Sequence, residues 1–341
     1  MRLSVLDQST VVTGRTPAES IRETLALARL ADSLGYARYW VAEHHNSDSQ
    51  AGTAPEILIG AIAATTAHIR VGSAGVMLPH YAALKVAEQF RVLEAVAPGR
   101  IDLGLGRAPG SDGRTAFALN PRADTAADQF PAQVRDLLAW VSGRPLVDGH
   151  PFRDVRAQPA GPTAPEVWIL GSSDYGAQVA AYFGLPYCYA HFITEGRGAE
   201  HAIATYRAQF RPSASLAAPV VAVCVWALAA DTRVEAERLL TSRLAWLLGR
   251  NRGLFQPLMS PHEVEQRAFS EAERAQMDAS RSASICGTGD DVARRITALA
   301  TDLGADEVAV LTTVHDPQAR RRSYTLLAEA FGLAASALVA A

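Results

Sequence analysis

Short apolar runs alternate along this chain with longer stretches in which apolar side chains return every three or four positions. A short run between turn residues reads as a strand buried on both faces, and the 3.6-residue return reads as an amphipathic helix. The first pair is a strand at 3–7 and a helix at 17–34, with Thr16 as N-cap, Pro17 at the first helical position and Gly35 as the stop. Further pairs follow at 39–43 and 55–67, then at 71–76 and 83–96, where Pro98-Gly99 halts the helix. A fourth strand at 101–105 leads through a loop rich in Gly, Asn and Pro to a helix over about 125–141. Past a Pro-rich connector at 145–165, strands are expected at 167–170, 187–190 and about 220–228, with a helix at 232–248. The rhythm breaks at 250–284, which reads as an insertion over one end of the fold. It resumes with a helix at 290–303, an eighth strand at 307–312 and a closing helix at 317–331. The Ala-rich stretch 334–341 reads as a frayed helix or a loose tail.

Strands separated by helices are expected to be parallel, and eight of them with no linker predict one α/β domain over 1–341, a TIM (β/α)8 barrel. A doubly wound open sheet is the rival, and the count of eight favours the barrel. At 341 residues and 49% hydrophobic composition the chain can fill such a core. The net charge of −3 argues against nucleic-acid binding, which calls for a basic stripe. No apolar stretch approaches the roughly 20 residues of a membrane span, and Met1 to Asp7 reads as a strand rather than a signal peptide. Cys188, Cys224 and Cys286 are far apart and form no C-x-x-C, which disfavours a zinc site or disulfide framework and suits a reducing cytoplasm. Of the 32 basic residues only Lys85 is a lysine, a bias that with abundant alanine points to a GC-rich, actinobacterial coding source.

In a barrel of this kind the chemistry sits where strands end. The run Arg100-Ile101-Asp102-Leu103-Gly104-Leu105-Gly106-Arg107 closes a strand on glycines and a forked, permanent cation suited to phosphate. Taken alone, Arg107 could equally be a solvated loop residue. Gly104-x-Gly106 is not a dinucleotide fingerprint, because Pro109 stands where the third glycine belongs. A second strand ends in Gly171-Ser172-Ser173-Asp174-Tyr175-Gly176 and runs straight into a helix, whose free N–H groups and serine hydroxyls make an anion site. Ser173 also serves as a plain N-cap, and Asp174 would repel a phosphate unless turned to solvent. Arg107 with Ser172 and Ser173 therefore reads as a phosphate clamp on one face.

Strand two ends in Glu43-His44-His45, and alternation lets at most one of the two histidines face inward. Small residues at Ala74-Gly75 would let a flat ring lie against the backbone. His80 and His191 follow strands and read as structural or pocket-lining. No partner spacing supports a metal, and no G-x-S-x-G supports a hydrolase.

Taken in order, 39–45, 71–79, 100–107, 170–173 and 287–293 give the chain a resemblance, over nearly its whole length, to the bacterial luciferase-like monooxygenases, flavin-dependent TIM barrels. The resemblance implies that Arg107, Ser172, Ser173 and Gly176 hold the phosphate of FMN. It also implies that the flavin ring lies near Ala74 and Gly75, where the family often has a non-proline cis peptide, and that His44 serves the reaction centre. Gly106 departs from the light-emitting members, which carry a reactive cysteine there, and argues for ordinary oxygenation. The resemblance further implies reduced FMN supplied by a separate flavin reductase, and a C4a-peroxyflavin that hydroxylates or epoxidises an organic substrate. Given the source, an aromatic polyketide in antibiotic biosynthesis is the expected kind. The insertion at 250–284 would act as a lid, and a cytoplasmic homodimer through helices 55–67 and 83–96 is expected. The alternatives are hydride transfer with the deazaflavin F420 and a non-catalytic flavin-binding barrel.

Overall fold

Residues 1–334 are described by the computed structural model, the side chains of 123 and 124 excepted; the tail expected at 334–341 lies, past Ala334, outside the described residues. The strands are β1 (Arg2–Asp7), β2 (Arg38–Val41), β3 (Arg70–Met77), β4 (Ile101–Gly106), β5 (Glu166–Gly171), β6 (Tyr187–Tyr189), β7 (Val221–Ala229), β8 (Ile285–Gly287) and β9 (Glu307–Leu311). β1 to β7 pair in sequence, all parallel, and β9 lies between β7 and β1 and closes a ring of eight. The fold is the expected α/β TIM barrel, with β9 at the position read as the eighth strand. β8 was not expected. It pairs only with Ala227–Ala229 at the far end of β7, and three residues are too short to leave a periodic trace.

Period-two alternation divides the strand residues between two cores. Leu3, Val5, Tyr39, Val41, Ile101, Leu103 and Val308 point outward and pack under the helices. Leu6, Trp40, Trp168, Cys188, Cys224, Trp226 and Leu311 point inward and fill the barrel. At its amino end the interior is ionic. Asp102 of β4 accepts from Arg38 Nη1 at 2.8 Å, Arg70 Nε at 2.9 Å and Trp40 Nε1 at 2.9 Å. Glu307 of β9 accepts from Arg38 Nε at 3.2 Å and from the Ser4 hydroxyl at 2.5 Å. Burial alone would lower the Arg38 pKa, but Asp102, Glu307 and Glu166 together raise it. Above this layer Trp40 and Trp168 meet edge to face, ring centroids 5.1 Å apart, and Trp40 reaches the floor of the other end.

The helices follow their capping signals. Thr16 and Glu19 form a capping box at Pro17–Ser33, and Gly35 takes φ +81° just past its end. Helix 83–96 has the expected bounds. Two expectations are corrected. The helix expected at 125–141 is two, Ala123–Asp128 and Phe130–Val141, because Pro131 has no N–H with which to carry the ladder across the junction. The helix expected to reach 67 ends at Ala63, because the Asp32 carboxylate takes the N–H groups of Ala67, His68 and Ile69 and draws them into the turn before β3.

The insertion is also more specific than a cover. The helix before it runs Arg233–Arg250, and the helices Pro261–Glu265 and Glu271–Ala283 pack back along that helix. The stretch at 254–258 turns toward the barrel mouth. There Leu258 exchanges backbone hydrogen bonds with Val11 and Thr13, at 2.9 and 3.0 Å.

Candidate active site

A cavity of about 650 Å³ opens at the carboxyl end of the strands. It is the end at which barrels of this class carry their chemistry, and the volume suits a cofactor-sized ligand. Its floor is Trp40, Leu6, Cys188, Cys224 and Leu311, and its walls include His44, Ala74, Gly75, Arg107, Ser172, Ser173 and Gly176. All seven residues singled out from the sequence thus line one space.

His44 follows β2 directly. Its N–H donates to the Gly52 carbonyl at 2.9 Å, while its ring atom Nδ1 is buried with no partner. Burial lowers its pKa to about 4, against a smaller opposing effect of Glu43, so the imidazole is neutral at ordinary pH. His45 faces away, with Nε2 2.8 Å from Glu43 Oε1. The Glu43 carboxylate also accepts from the Tyr81 hydroxyl at 2.7 Å and the Met77 N–H at 3.0 Å, which ties the end of β2 to the end of β3 and fixes His44 between them.

β3 and β4 shift register between Ser73 and Val76, and the Ala74–Gly75 peptide is cis. The Ser73 hydroxyl fills the gap: it donates to the Gly104 carbonyl at 2.9 Å and accepts from the Gly104 N–H at 3.0 Å. Gly106 leaves the neighbouring wall bare of a side chain.

Arg107 is exposed, and its Cζ lies 4.1 Å from the centre of the Tyr175 ring, which holds it over the cavity rim. It takes no part in the ion pairs found among the described residues. Tyr175 belongs to the first turn of the helix Asp174–Phe183, so Arg107 and that helix amino terminus share one corner. Ser173 stands at the N-cap position, yet its side chain makes no capping bond and leaves the hydroxyl free. Asp174 does not spoil the corner, because its half-exposed carboxylate turns to His201 Nε2 at 3.2 Å. Gly176, in the first turn of that helix, lines the cavity beside Gly171.

His80 binds the Pro109 carbonyl at 2.7 Å, and neither His80 nor His191 lines the cavity. Burial pushes the Cys188 and Cys224 thiols well up, so neither is a ready nucleophile. Among the described residues no group of three or more His, Cys, Asp or Glu is placed to hold a metal ion, and no helix is long and apolar enough to cross a membrane.

One wall escaped the sequence reading. Arg243, Trp246 and Arg250 lie on one face of helix Arg233–Arg250 and all border the cavity, with Phe255 and Leu258 above them. Their i, i+3, i+7 spacing could have shown a shared face.

Known proteins resemble the chain throughout. A family model described as luciferase-like monooxygenase matches residues 1–307. A luciferase-like monooxygenase of Escherichia coli (strain K12) is 40% identical over 324 residues, 95% of each chain. The N-acetyl-S-alkylcysteine monooxygenase of Bacillus subtilis (strain 168) is 36% identical over 333 residues, 97% of this chain and 98% of the other. Among solved structures, apo-MsnO8 superposes with a TM-score of 0.87 at 38% identity, covering 98% of this chain and 99% of that one.

Proposed function

The chain belongs to the luciferase-like monooxygenase family, and from that premise we propose that it is the oxygenase component of a two-component system. It would take reduced FMN from a separate flavin reductase and insert one atom of O₂ into an organic substrate. The observation that carries the reading is the meeting of Arg107, the free Ser173 hydroxyl and the helix amino terminus at one corner of a cavity that is also lined by a neutral His44. The residues fit FMN: a phosphate needs a cation and free N–H donors, and a flat ring needs a wall without side chains.

In this reading Arg107, Ser172, Ser173 and the N–H groups up to Gly176 bind the phosphate, and Ala74 and Gly75 bed the ring. Reduced FMN supplies the electrons that activate O₂, one oxygen atom going to the substrate and the other to water. His44, neutral and lining the cavity, offers its imidazole as a hydrogen-bonding group at the reacting face. The apolar floor and Phe192, Phe255 and Leu258 keep water out. Gly106 leaves no thiol beside the ring, which supports oxygenation over light emission. An aromatic polyketide is one substrate whose flat body such walls would accept. Pro109 in place of the third glycine supports an external reductase, since no nicotinamide site is evident in the motif. A cytoplasmic location follows from the same partnership. Exposed Ile57, Val92 and Val96 support a homodimer through the helices that carry them, and elution as a monomer at micromolar concentration would remove it.

The deciding experiment binds FMNH₂ to the protein without oxygen and then mixes in O₂ while flavin absorbance is followed. Slow return in two resolved phases, with H₂O₂ released at the end because no substrate is present, is the expected result. Single-phase return at the rate of free FMNH₂, with tight binding of F420 instead, would transfer the site to hydride chemistry. Tight FMN binding with no O₂ consumption would make the barrel a flavin carrier.

A further inference from the structure

Arg243 is a cation in an unusual position. It is 7% exposed, borders the cavity, and its Nε is buried with no hydrogen-bond partner. Its Cζ lies 4.3 Å from the centre of the Trp226 ring, which covers one face of the guanidinium and leaves the edge uncommitted. No carboxylate pairs with it among the described residues. The charged groups that act on it are Arg250, two turns along the same helix face, and Glu195, which is exposed at the end of the helix His191–Thr194. Burial and Arg250 push its pKa down to about 9, so it remains charged at neutral pH. A buried, unpaired charge is costly, and a fold has no reason of stability to keep one. Such groups are found where a ligand supplies the missing partner.

We propose that Arg243, backed by Arg250, receives the carboxylate of an organic substrate whose apolar body lies between Trp246, Phe192, Phe255 and Leu258. The proposal deepens the oxygenase reading and rests on it. The planar fork of a guanidinium matches a carboxylate, and one face is already held by an aromatic ring. The other oxyanion available to this cavity is the flavin phosphate. That group has its own corner at the ends of β4 and β5, whereas Arg243 stands on the helix after β7, with the end of β6 at Ala190 and Phe192 between. Flavin at one corner and carboxylate at the other would stretch the substrate across the space that His44 faces.

The test is equilibrium binding rather than turnover. 2-Naphthoate and 2-naphthamide, nearly the same in shape, are titrated into the wild-type protein, Arg243→Met and Arg243→Lys, each with and without FMN, by calorimetry. The wild type is expected to hold the acid about 10- to 100-fold more tightly than the amide, the range for charge-assisted hydrogen bonds. Arg243→Met should erase that preference and Arg243→Lys should keep part of it. Arg243→Met should melt no lower than the wild type, and its affinities for FMN and riboflavin should be unchanged. Equal binding of acid and amide by the wild type, or no binding of either up to millimolar concentration, overturns the proposal. So does a loss of FMN affinity without loss of riboflavin affinity in Arg243→Met, which would assign the cation to the cofactor phosphate. A lower melting temperature for Arg243→Met would make it a structural cation. Failure of the oxygenase reading would show separately, in the O₂ experiment, and would leave these titrations unaffected.

Discussion

Arg38 and Arg243 are both arginines buried inside the same barrel, one near each end. Arg38 is held by Asp102 at 2.8 Å, Glu166 at 3.0 Å and Glu307 at 3.1 Å. Arg243 has a tryptophan ring and an empty Nε. The same contrast holds between the two ends. At the amino end Arg70 joins the carboxylates, and every strand charge in the layer meets its opposite on another strand of the ring. At the carboxyl end Arg107 has only Tyr175, His44 Nδ1 and Thr10 Oγ1 are unpartnered, and Ser173 caps nothing. Satisfied charge holds a ring of strands in register, and unsatisfied polarity at the other end is what a ligand would complete. Measurements that separate stability from binding can break this division of labour or sharpen it.

The largest effect should come from the satisfied end. Asp102→Ala takes from Arg38 and Arg70 the buried carboxylate they share and leaves them only the half-exposed Glu166 in common, and breaking such a buried pair costs about 3–5 kcal/mol. A fall in the urea midpoint of that order is expected, with Asp102→Asn intermediate because it keeps an acceptor for Trp40. If Asp102→Ala unfolded like the wild type but bound flavin poorly, the amino end would not be the structural one.

His44 gives a pH test from the unsatisfied end. Its pKa falls from an ordinary 6.5 to about 4 in the fold, chiefly through burial. Between those values the unfolded chain binds a proton that the folded chain refuses. Stability is therefore full above pH 6.5 and is lost as pH drops toward 4, by about 3 kcal/mol in all. His44→Gln should flatten that slope in denaturant titrations across the window while FMN still binds. An unchanged slope would mean that the ring is not held neutral.

How much of this could be read in advance depends on how local the signal was. Leu3 to Asp7, the helix 83–96 and the strand ends at Arg107 and Ser172-Ser173 announce themselves within a few residues, through alternation, capping and turn chemistry. The ionic layer did not, although Asp102 sits inside the strand that ends at Arg107. Its partners Arg38 and Arg70, and the Glu307 that Arg38 also holds, begin three other strands, and only closure of the ring brings them together. Arg243 was hidden for a different reason. On an arginine-rich helix it looks like a solvated face, and the depth of its side chain depends on how that helix tilts over the mouth. β8 was hidden by length alone.

Arg107→Ala should leave folding intact and weaken FMN by about 10- to 100-fold, as expected for loss of charge-assisted hydrogen bonds worth roughly 1.5–3 kcal/mol. Riboflavin, which has no phosphate, is the control and should bind both proteins alike. Equal weakening of both ligands would place Arg107 against the ring system and dismantle the clamp.

The smallest effect separates the clamp's charge from its support. Tyr175 touches Arg107 through its ring face, with the guanidinium carbon 4.1 Å from the centroid. A cation over an aromatic face at a partly exposed site is worth about 0.5–1 kcal/mol. Tyr175→Phe keeps that face, so FMN affinity should hardly move. Tyr175→Leu removes it and lets the arginine swing into solvent, which should weaken FMN by about two- to fivefold while riboflavin is unaffected. The pair of substitutions decides between two roles for the residue. If Phe and Leu weaken binding equally, the hydroxyl is the active group and Tyr175 is itself a phosphate donor. If neither changes it, Arg107 needs no platform, and the stacking belongs to the protein without its ligand.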